Sequence, residues 1–283
     1  MRQFGRNERP AHPRDRARRE PKALRMRLNR VYVAASLSAG SVIELPASAA
    51  QHLAKVLRAR SGDEIVLFAG DGREFPAAIE SIRGSRVTAL VGEARSIDRE
   101  SPLSVTLIQC LARADRMDVI VQKATELGVA RIVPVISRRS VVRLDAAQAA
   151  SKAEHWRGIA IAACEQCGRN RLPVIEAPRP LIRYLGEAPP GGARLILEPG
   201  AAGLGAAAGI GTPVEIGATV ELAVGPEGGF DAEELEAFRI SGFMFVALGP
   251  RVLRTETAAI AGIAWLQSRF GDLTVATGAP QSR

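Results

Sequence analysis

The sequence predicts an α/β protein with two domains, a small β-barrel domain followed by a larger domain with a mostly parallel sheet. Residues 27–96 show short alternating strands broken by turn residues. A polar stretch, Ser96 to Pro102, then ends in proline, and the character of the sequence changes after it. From residue 98 onward, apolar runs alternate with helical patterns, which is typical of parallel strands joined by crossover helices.

The first segment has the strand and turn pattern of a small barrel. One helix interrupts the strands; Ser48 and Gln51 suggest a capping box at its start, and it is expected to run to about Arg60. The expected strands are Arg30 to Ala34, Ser41 to Leu45, Glu64 to Phe68, Glu74 to Ile79 and Arg86 to Gly92.

The second segment opens with Leu103 to Leu111, a nearly continuous apolar run typical of a strand covered on both faces. Apolar residues at helical spacing from Met117 to Leu127 predict a helix that ends at Gly128. Asp231 with Glu234 forms an acidic capping pair further along. The remaining expected strands are Arg131 to Ile136, Ala193 to Leu197, Val220 to Val224 and Phe243 to Leu248; the remaining helices are Ala146 to Cys167, Ala232 to Ile240 and Thr255 to Phe270.

The formal net charge of +8 is concentrated at the start of the chain. Residues 1–30 hold eleven Lys or Arg against three acidic side chains, so the remaining chain is neutral. We expect residues 1–26 to form a disordered basic tail, because such a segment buries too little apolar surface to offset its ordering entropy. Two interpretations stay open: a start extended beyond a true one at Met26, or an arm that tethers RNA.

Several classes of protein are disfavoured by composition. No apolar run approaches the roughly 18 to 20 residues of a membrane-spanning helix, so no membrane partner is expected. The three cysteines are too few for a disulfide framework and suit a reducing cytoplasm, where we expect the protein. Cys164 and Cys167 lie in a helical run, which favours small packing residues over a redox pair or a zinc site, so no metal is expected.

Two loops that follow short apolar runs, Val224 to Phe230 and Leu248 to Ala258, indicate a ligand pocket. Their glycines let the backbone approach a ligand closely, and open α/β sheets bind ligands beyond the carboxyl ends of their strands. Arg251 and Arg254 precede the last helix, and either is suited to position a phosphate or a polar base, with solvation as the alternative for Arg251. The alternative is a local ion pair between Arg254 and Glu256.

Other nucleotide-binding patterns are absent or incomplete. The chain has no phosphate-binding P-loop motif. Gly203 to Gly209 loosely imitates a dinucleotide fingerprint, but the sequence after it reads as a surface loop rather than an opening helix.

The two loops resemble the G-P-E-G-G-F and L-G-x-[RI]-[IV]-L-R-T-E-T-A signatures of the ribosomal RNA small subunit methyltransferase E family, uridine N3 methyltransferases of the knotted SPOUT class. The resemblance covers the chain from about Met26, whereas residues 1–25 have no counterpart. Cys164 and Cys167 depart from the pattern, since the family more often has small residues there. Three further segments match in order: His52 to Arg58 with Gly62-Asp63, Arg113 to Val129, and Glu165 to Arg169 with Pro173.

The resemblance implies a PUA-like RNA-binding β-barrel at residues 27–96 and a SPOUT methyltransferase domain with a deep trefoil knot at residues 98–283. It also implies S-adenosylmethionine as cofactor, a homodimer, and 16S ribosomal RNA or the small ribosomal subunit as partner. The cofactor-binding residues carried over are Leu197, Glu198, Gly225, Pro226, Glu227, Gly228, Leu248, Gly249, Leu253 and Thr255.

Methylation at uracil N3 requires that the N3 proton leave before the lone pair attacks. Arg254 is suited to stabilise charge that develops on the flanking carbonyls, and Glu227 is suited to accept the proton if burial raises its pKa. Candidate RNA contacts are His52, Lys55, Arg58, Arg138, Arg139, Arg143, Glu165, Gln166 and Arg169. Glu165, Gln166 and Arg169 are also candidates to orient the uracil or the cofactor. Ordinary solvation is the alternative for these three and for His52, Lys55 and Arg58.

Three other functions stay open at this point: a SPOUT methyltransferase of other RNA specificity, a non-catalytic RNA-binding ribosome-assembly protein, and a dinucleotide-dependent oxidoreductase. The intact Glu227 and Arg254 argue against the second. The lack of an acidic partner after the glycine loop argues against the third.

Overall fold

Two separate β-sheets organise the chain, one in each half of the sequence. The computed structural model describes residues 28–140, 144–187, 192–203 and 219–273. The predicted tail at 1–26 and the predicted RNA contact Arg143 lie outside the described residues. None of the helices in these ranges is long and apolar enough to cross a membrane.

The first sheet has the order β1-β3-β4-β5-β2, with β6 paired to β4. β1 runs parallel to β3, and the other pairs are antiparallel. Buried side chains from these strands form one core that includes Leu67, Phe75 and Val87. The strands are β1 (Asn29–Tyr32), β2 (Val42–Glu44), β3 (Glu64–Phe68), β4 (Arg73–Arg83), β5 (Arg86–Val91) and β6 (Arg95–Ser96).

The helix of this half, α1 (Ala47–Gln51), continues as a π-helical turn over His52–Val56. The capping box predicted at Ser48 is wrong: the N-cap is Pro46, no side chain caps the helix, and Ser48 already lies in the first turn. The helical run ends at Val56, four residues before the predicted end. Arg58 beyond it has a φ of 50°.

The second sheet has the order β10-β8-β7-β12-β11-β13, with β9 paired to β8, and every pair is parallel. Its strands are β7 (Ser104–Cys110), β8 (Arg131–Ile136), β9 (Val174–Ile175), β10 (Arg179–Pro180), β11 (Ala193–Leu197), β12 (Thr219–Val224) and β13 (Met244–Val246). Its helices are α2 (Ala114–Glu126), α3 (Ala146–Cys167), α4 (Leu181–Glu187), α5 (Ala232–Ile240) and α6 (Thr255–Phe270).

Helices cover both faces of this sheet. Leu107 and Leu222 belong to one buried cluster, whereas their strand neighbours Ile108 and Ala223 belong to another. Because successive strand residues point to opposite faces, the two clusters are the two sides of the sheet. The α/β prediction for this half is therefore confirmed, and its continuous apolar strands are explained by burial on both faces.

A buried charged network joins the two halves. Glu74 on β4 is 6% exposed, and its Oε2 lies 2.7 Å from a nitrogen of Arg30 and 3.0 Å from one of Arg99. Asn170, which follows α3, donates to the same oxygen and to the carbonyl of Ile97. Burial acts to raise the pKa of Glu74, but the hydrogen bonds from the two arginines outweigh it and lower the pKa.

Candidate active site

Three parallel strands end together at one edge of the second sheet. The register pairs Leu197 at the end of β11 with Val224 at the end of β12 on one side and with Val246 at the end of β13 on the other. The loops that leave these strands therefore start side by side. The edge is the carboxyl edge, where open α/β sheets bind ligands.

These loops enclose a cavity of about 270 Å³, here called the loop cavity. The two candidate catalytic residues and nine of the ten predicted cofactor-binding residues line it. Gly228 is the exception, and its carbonyl accepts a hydrogen bond from Arg139 at 3.1 Å. The predicted residues in the lining are Leu197, Glu198, Gly225, Pro226, Glu227, Leu248, Gly249, Leu253, Arg254 and Thr255.

Backbone and apolar groups form much of this lining. Gly249 has a φ of 87°, in the region that favours glycine. A Cβ on Gly225 would lie 3.1 Å from the ring of Phe230, so a side chain there would crowd the loop. An apolar slot with a few oriented backbone groups suits a planar heterocycle such as adenine.

A side-chain hydrogen-bond chain fixes the loops to each other. The Thr255 hydroxyl at the start of α6 donates to the Gly225 carbonyl at 2.8 Å and accepts from the Gln109 amide at 2.9 Å. Gln109 is fully buried at the end of β7. Gln109 belongs to none of the predicted site motifs; its one signal in the sequence is its position as a lone amide in the apolar run from Leu103 to Leu111.

Arg254 is the N-cap residue of α6 and is exposed at the loop cavity. Within the described parts of the chain, no hydrogen bond or ion pair engages its guanidinium. The alternative ion pair between Arg254 and Glu256 is not formed. The Glu256 carboxylate instead lies 3.4 Å from the Arg116 guanidinium. The cavity therefore presents an unpaired cation to any molecule that enters it.

The two carboxylates of the cavity differ in environment. Glu227 is exposed, and its carboxylate lies 3.5 Å from the Arg116 guanidinium. The predicted role of Glu227 as proton acceptor required a buried carboxylate. In the single chain this carboxylate is not buried. Glu198 is partly buried, and burial raises the pKa of its carboxyl, with an opposing effect from the charge of Arg139.

The candidate RNA contacts separate into groups. Arg138 and Arg139 lie beside the loop after β12, where Arg138 pairs with Glu233 at 2.5 Å. Lys55 and Arg58 are exposed near the end of the π-helical turn. A further set of predicted contacts lines a second cavity between the barrel and α3, here called the seam cavity: His52, Glu165 and Gln166.

Arg169 has a structural position. It is 4% exposed, and one guanidinium nitrogen donates to the carbonyls of Thr125 and Val129 at 2.9 and 3.0 Å. Its other nitrogens bond the carboxylate of Glu100. These bonds occupy the guanidinium inside the protein, so the geometry gives no support to the predicted RNA contact.

Comparison with known proteins first gives the class. The family model described as "RNA methyltransferase domain" matches residues 99–267, and the one described as "RNA methyltransferase PUA domain" matches residues 45–91. The α/β fold with a PUA-like domain and a backbone-lined cavity at its sheet edge is thus that of an RNA methyltransferase. No group of side chains in the described ranges has the composition and spacing of a metal site.

Individual relatives then give the family. A Buchnera aphidicola (Schizaphis graminum) protein named ribosomal RNA small subunit methyltransferase E is 32% identical over 89% of this chain and 100% of its own length. The Bacillus subtilis protein of the same name is 33% identical over 73% of this chain and 82% of its own. The chain belongs to the ribosomal RNA small subunit methyltransferase E family, as the two loop motifs predicted.

Solved structures agree with this assignment. A Legionella pneumophila methyltransferase in complex with S-adenosylmethionine is 40% identical, with a TM-score of 0.81, over 87% of this chain and 100% of that one. A ribosomal RNA small subunit methyltransferase E from Neisseria gonorrhoeae bound to S-adenosylmethionine is 38% identical, with a TM-score of 0.79 and the same coverage.

Proposed function

We propose that this protein is an enzyme that methylates N3 of a specific uridine in 16S ribosomal RNA with S-adenosylmethionine as methyl donor. The observation that carries the proposal is the loop cavity, in which the ends of three parallel strands bring apolar groups, backbone groups and an unpaired Arg254 together. Relatives of this family named for ribosomal RNA methylation, and two neighbours bound to S-adenosylmethionine, support the substrate and the cofactor.

The lining of the loop cavity fits an adenosine. Leu197, Leu248 and Leu253 offer apolar contacts for the adenine, and the glycine backbone offers hydrogen bonds along its edge. S-adenosylmethionine, when bound, supplies an electrophilic methyl group on a sulfonium sulfur. The protein must then hold the uracil so that N3 faces this methyl group in line with the breaking bond.

Arg254 is proposed to stabilise the anionic uracil. Loss of the N3 proton leaves charge on the two flanking carbonyl oxygens, and a guanidinium donates to such oxygens in a planar fork. Its freedom from protein carboxylates leaves it available for that contact. Preorganised donors aimed at developing charge typically account for a factor of about 10² to 10³ in rate.

The proton acceptor is proposed to be Glu227, in a site that a second molecule covers. Glu227 is exposed in the single chain, and Val252 beside the cavity is 80% exposed although apolar. A homodimer that covers this edge of the sheet would bury both groups. Their exposure in the single chain therefore supports the homodimer that the family resemblance implies. A solution mass of one chain, measured by light scattering at assay concentration, would argue against this arrangement.

A deep trefoil knot around the cavity is also proposed. The chain forms β11, β12 and β13 in that order, but β11 lies between the other two in the sheet. The chain must therefore return past β11 after it forms β12. An experimental trace of residues 198–218, which connect β11 to β12, tests the knot directly.

The proposed domains are a PUA-like RNA-binding barrel at residues 27–96 and a methyltransferase domain at residues 98–283. The two family matches, at residues 45–91 and 99–267, fall on either side of the proposed boundary and support it. Expression of residues 98–283 alone tests it, since a domain with its own core should fold and bind S-adenosylmethionine.

The test of the function is mass spectrometry of ribosomal RNA from cells that lack the protein. The expected result is loss of one 3-methyluridine from the small-subunit RNA and its return with the wild-type gene. Unchanged 3-methyluridine would overturn the proposal. Loss of a different methylated nucleoside would instead favour a SPOUT enzyme of other specificity.

A further inference from the structure

The seam cavity is larger than the loop cavity. It lies against the face of α3 that points away from the parallel sheet. Its volume is about 780 Å³, within the range of small-molecule binding sites. One wall comes from β1 and the helical turn at His52, and the other from the exposed face of α3. The lining of the cavity includes Tyr32, His52, Gly158, Ile161, Glu165 and Gln166.

Glu165 is the anionic group of this cavity. Its Oε1 accepts a hydrogen bond from the backbone N–H of Tyr32 at 3.0 Å, which fixes the carboxylate against the barrel. A carboxylate has about four acceptor positions, so most remain available. Burial raises the pKa of Glu165, with opposing effects from the Tyr32 N–H and the nearby His52 and Arg30.

The surroundings of Glu165 restrict what it can bind. Leu28, Ile161 and Ala162 give the cavity apolar walls, which suit the faces of a nucleobase. Lys55, one turn beyond His52, is exposed and carries no hydrogen bond or ion pair within the described residues. An exposed cation in the same helical turn as the lining residue His52 is suited to attract the phosphate backbone, whereas the acceptor-only Glu165 inside the cavity repels phosphate and selects N–H donors.

We propose that the seam cavity binds an unstacked guanine of the ribosomal RNA substrate, with Glu165 accepting from its N1–H and N2–H. Guanine presents two adjacent N–H donors on its Watson–Crick edge, which match the two oxygens of one carboxylate. Uracil, adenine and cytosine each present only one donor group there. The inference rests on the proposed function, and it adds a second point of RNA recognition at the seam between the barrel and α3.

Direct binding tests the chemistry. The probes are fluorescent U-rich RNA hexamers that carry a central guanosine or a central inosine, which lacks the N2 amino group. We expect the full-length protein to bind the guanosine hexamer about five to ten times more tightly, as a lost bidentate contact predicts. In Glu165→Gln this preference should disappear. Equal affinity of the wild-type protein for both hexamers would overturn the proposal.

Filling the cavity tests its role in catalysis. A Cβ on Gly158 meets no atom within 4 Å, and Gly158 lines the seam cavity, so Gly158→Trp is chosen to place a large ring in that cavity. We expect it to raise the KM for small subunits from cells lacking the protein about tenfold, with the dissociation constant for S-adenosylmethionine within about twofold. Ala147→Trp places the same side chain eleven residues away on α3, about 16 Å along the axis, and should match the wild type.

The outcomes separate the inference from the proposed function. A wild-type KM for Gly158→Trp would overturn the seam cavity as an RNA site while methylation itself stands. If the wild-type protein transfers no methyl group to the subunits, the proposed function fails, and the hexamers still decide whether the cavity selects guanine. If Gly158→Trp does not fold, Glu165→Gln supplies the same KM comparison.

Discussion

Arg254, like Arg251 in the same loop, has no hydrogen bond or ion pair among the described residues, whereas the nearby Arg116 and Arg138 are both paired. Arg116 lies between Glu227 and Glu256, and Arg138 lies beside Asp231 and Glu233. An arginine already paired with carboxylates can contribute little to the stabilisation of a new anion. The unpaired state of Arg254, together with its position as the N-cap residue of α6, therefore makes it the candidate for contact with the reacting base.

Substitution of Arg254 by alanine should lower methyl transfer at least about 10²-fold and change S-adenosylmethionine affinity only a few-fold, because the contact is made with the developing anion. The measurements are single-turnover transfer to unmethylated subunits and calorimetry with the cofactor. Arg251→Ala, which removes a cation from the same loop, should have a much smaller effect on the rate. Wild-type turnover in Arg254→Ala would remove Arg254 from the mechanism.

At the scale of elements, the loop cavity depends on how α6 is attached to the strand ends. Thr255 in the first turn of α6 is 4% exposed and bonds both the loop after β12 and the end of β7. Loss of its hydroxyl would leave a buried carbonyl at Gly225 and a buried amide at Gln109 without this partner. Such unsatisfied groups typically cost about 1 to 3 kcal/mol.

Thr255→Val should therefore lower the thermal midpoint of unfolding and weaken S-adenosylmethionine binding by about a factor of ten. The shape of the side chain is retained, so the change isolates the hydroxyl. Thr257→Val, an exposed position in the same helical turn, is the matched control and should leave both quantities unchanged. Equal cofactor affinity in the two variants would show that the hydrogen-bond chain does not organise the cavity.

The sequence predicted most accurately the helices whose ends are marked by residues close to them in sequence. The bounds of α3, α5 and α6 agree with the predictions, and the capping pair of Asp231 and Glu234 is confirmed with both of its hydrogen bonds. At Ser48 the same reasoning failed, because a motif of short polar residues does not fix which residue is the N-cap. The short strands β9 and β10 and helix α4 were missed, since two to seven residues carry too little periodicity.

The candidate site was predictable where it is built from contiguous motifs. The two predicted loops supply most of the residues that line the cavity. The family that their motifs predicted is confirmed. Gln109, Arg116 and the buried position of Arg169 were not predictable in this way. Their roles depend on partners such as Thr255 and Glu100 that are distant in sequence and meet only in the folded chain.

At the scale of the whole molecule, Glu74 connects the barrel to the methyltransferase half. Its carboxylate is shared by two arginines and an asparagine that come from three separate parts of the chain. Removal of one partner from a buried ion pair leaves an uncompensated charge, which costs about 3 to 5 kcal/mol. The relative placement of the two halves, and hence the seam cavity, depends on this carboxylate.

Glu74→Gln should accordingly lower the free energy of unfolding by about 3 kcal/mol at pH 7, measured with a chemical denaturant. Because the folded-state pKa of Glu74 is lowered, its contribution is present above the unfolded-state pKa of about 4.3 and is lost as the pH falls through the folded-state value. The difference between variant and wild type should therefore shrink in acid. Glu64→Gln, an exposed change on β3, should show neither effect.

The basic tail should act on RNA and leave the folded body unaffected. Residues 1–30 carry the whole net charge of the chain, so removal of residues 2–25 takes away most of the net positive charge that favours long-range attraction to RNA. We expect the truncated protein to keep its thermal midpoint and its S-adenosylmethionine affinity. Its affinity for small-subunit RNA should fall at low salt, and the deficit should narrow steeply as salt is raised, because released counterions supply that part of the binding free energy. A salt-independent deficit would mean that the tail makes specific contacts, and no deficit at any salt concentration would show that the tail does not contribute to RNA binding.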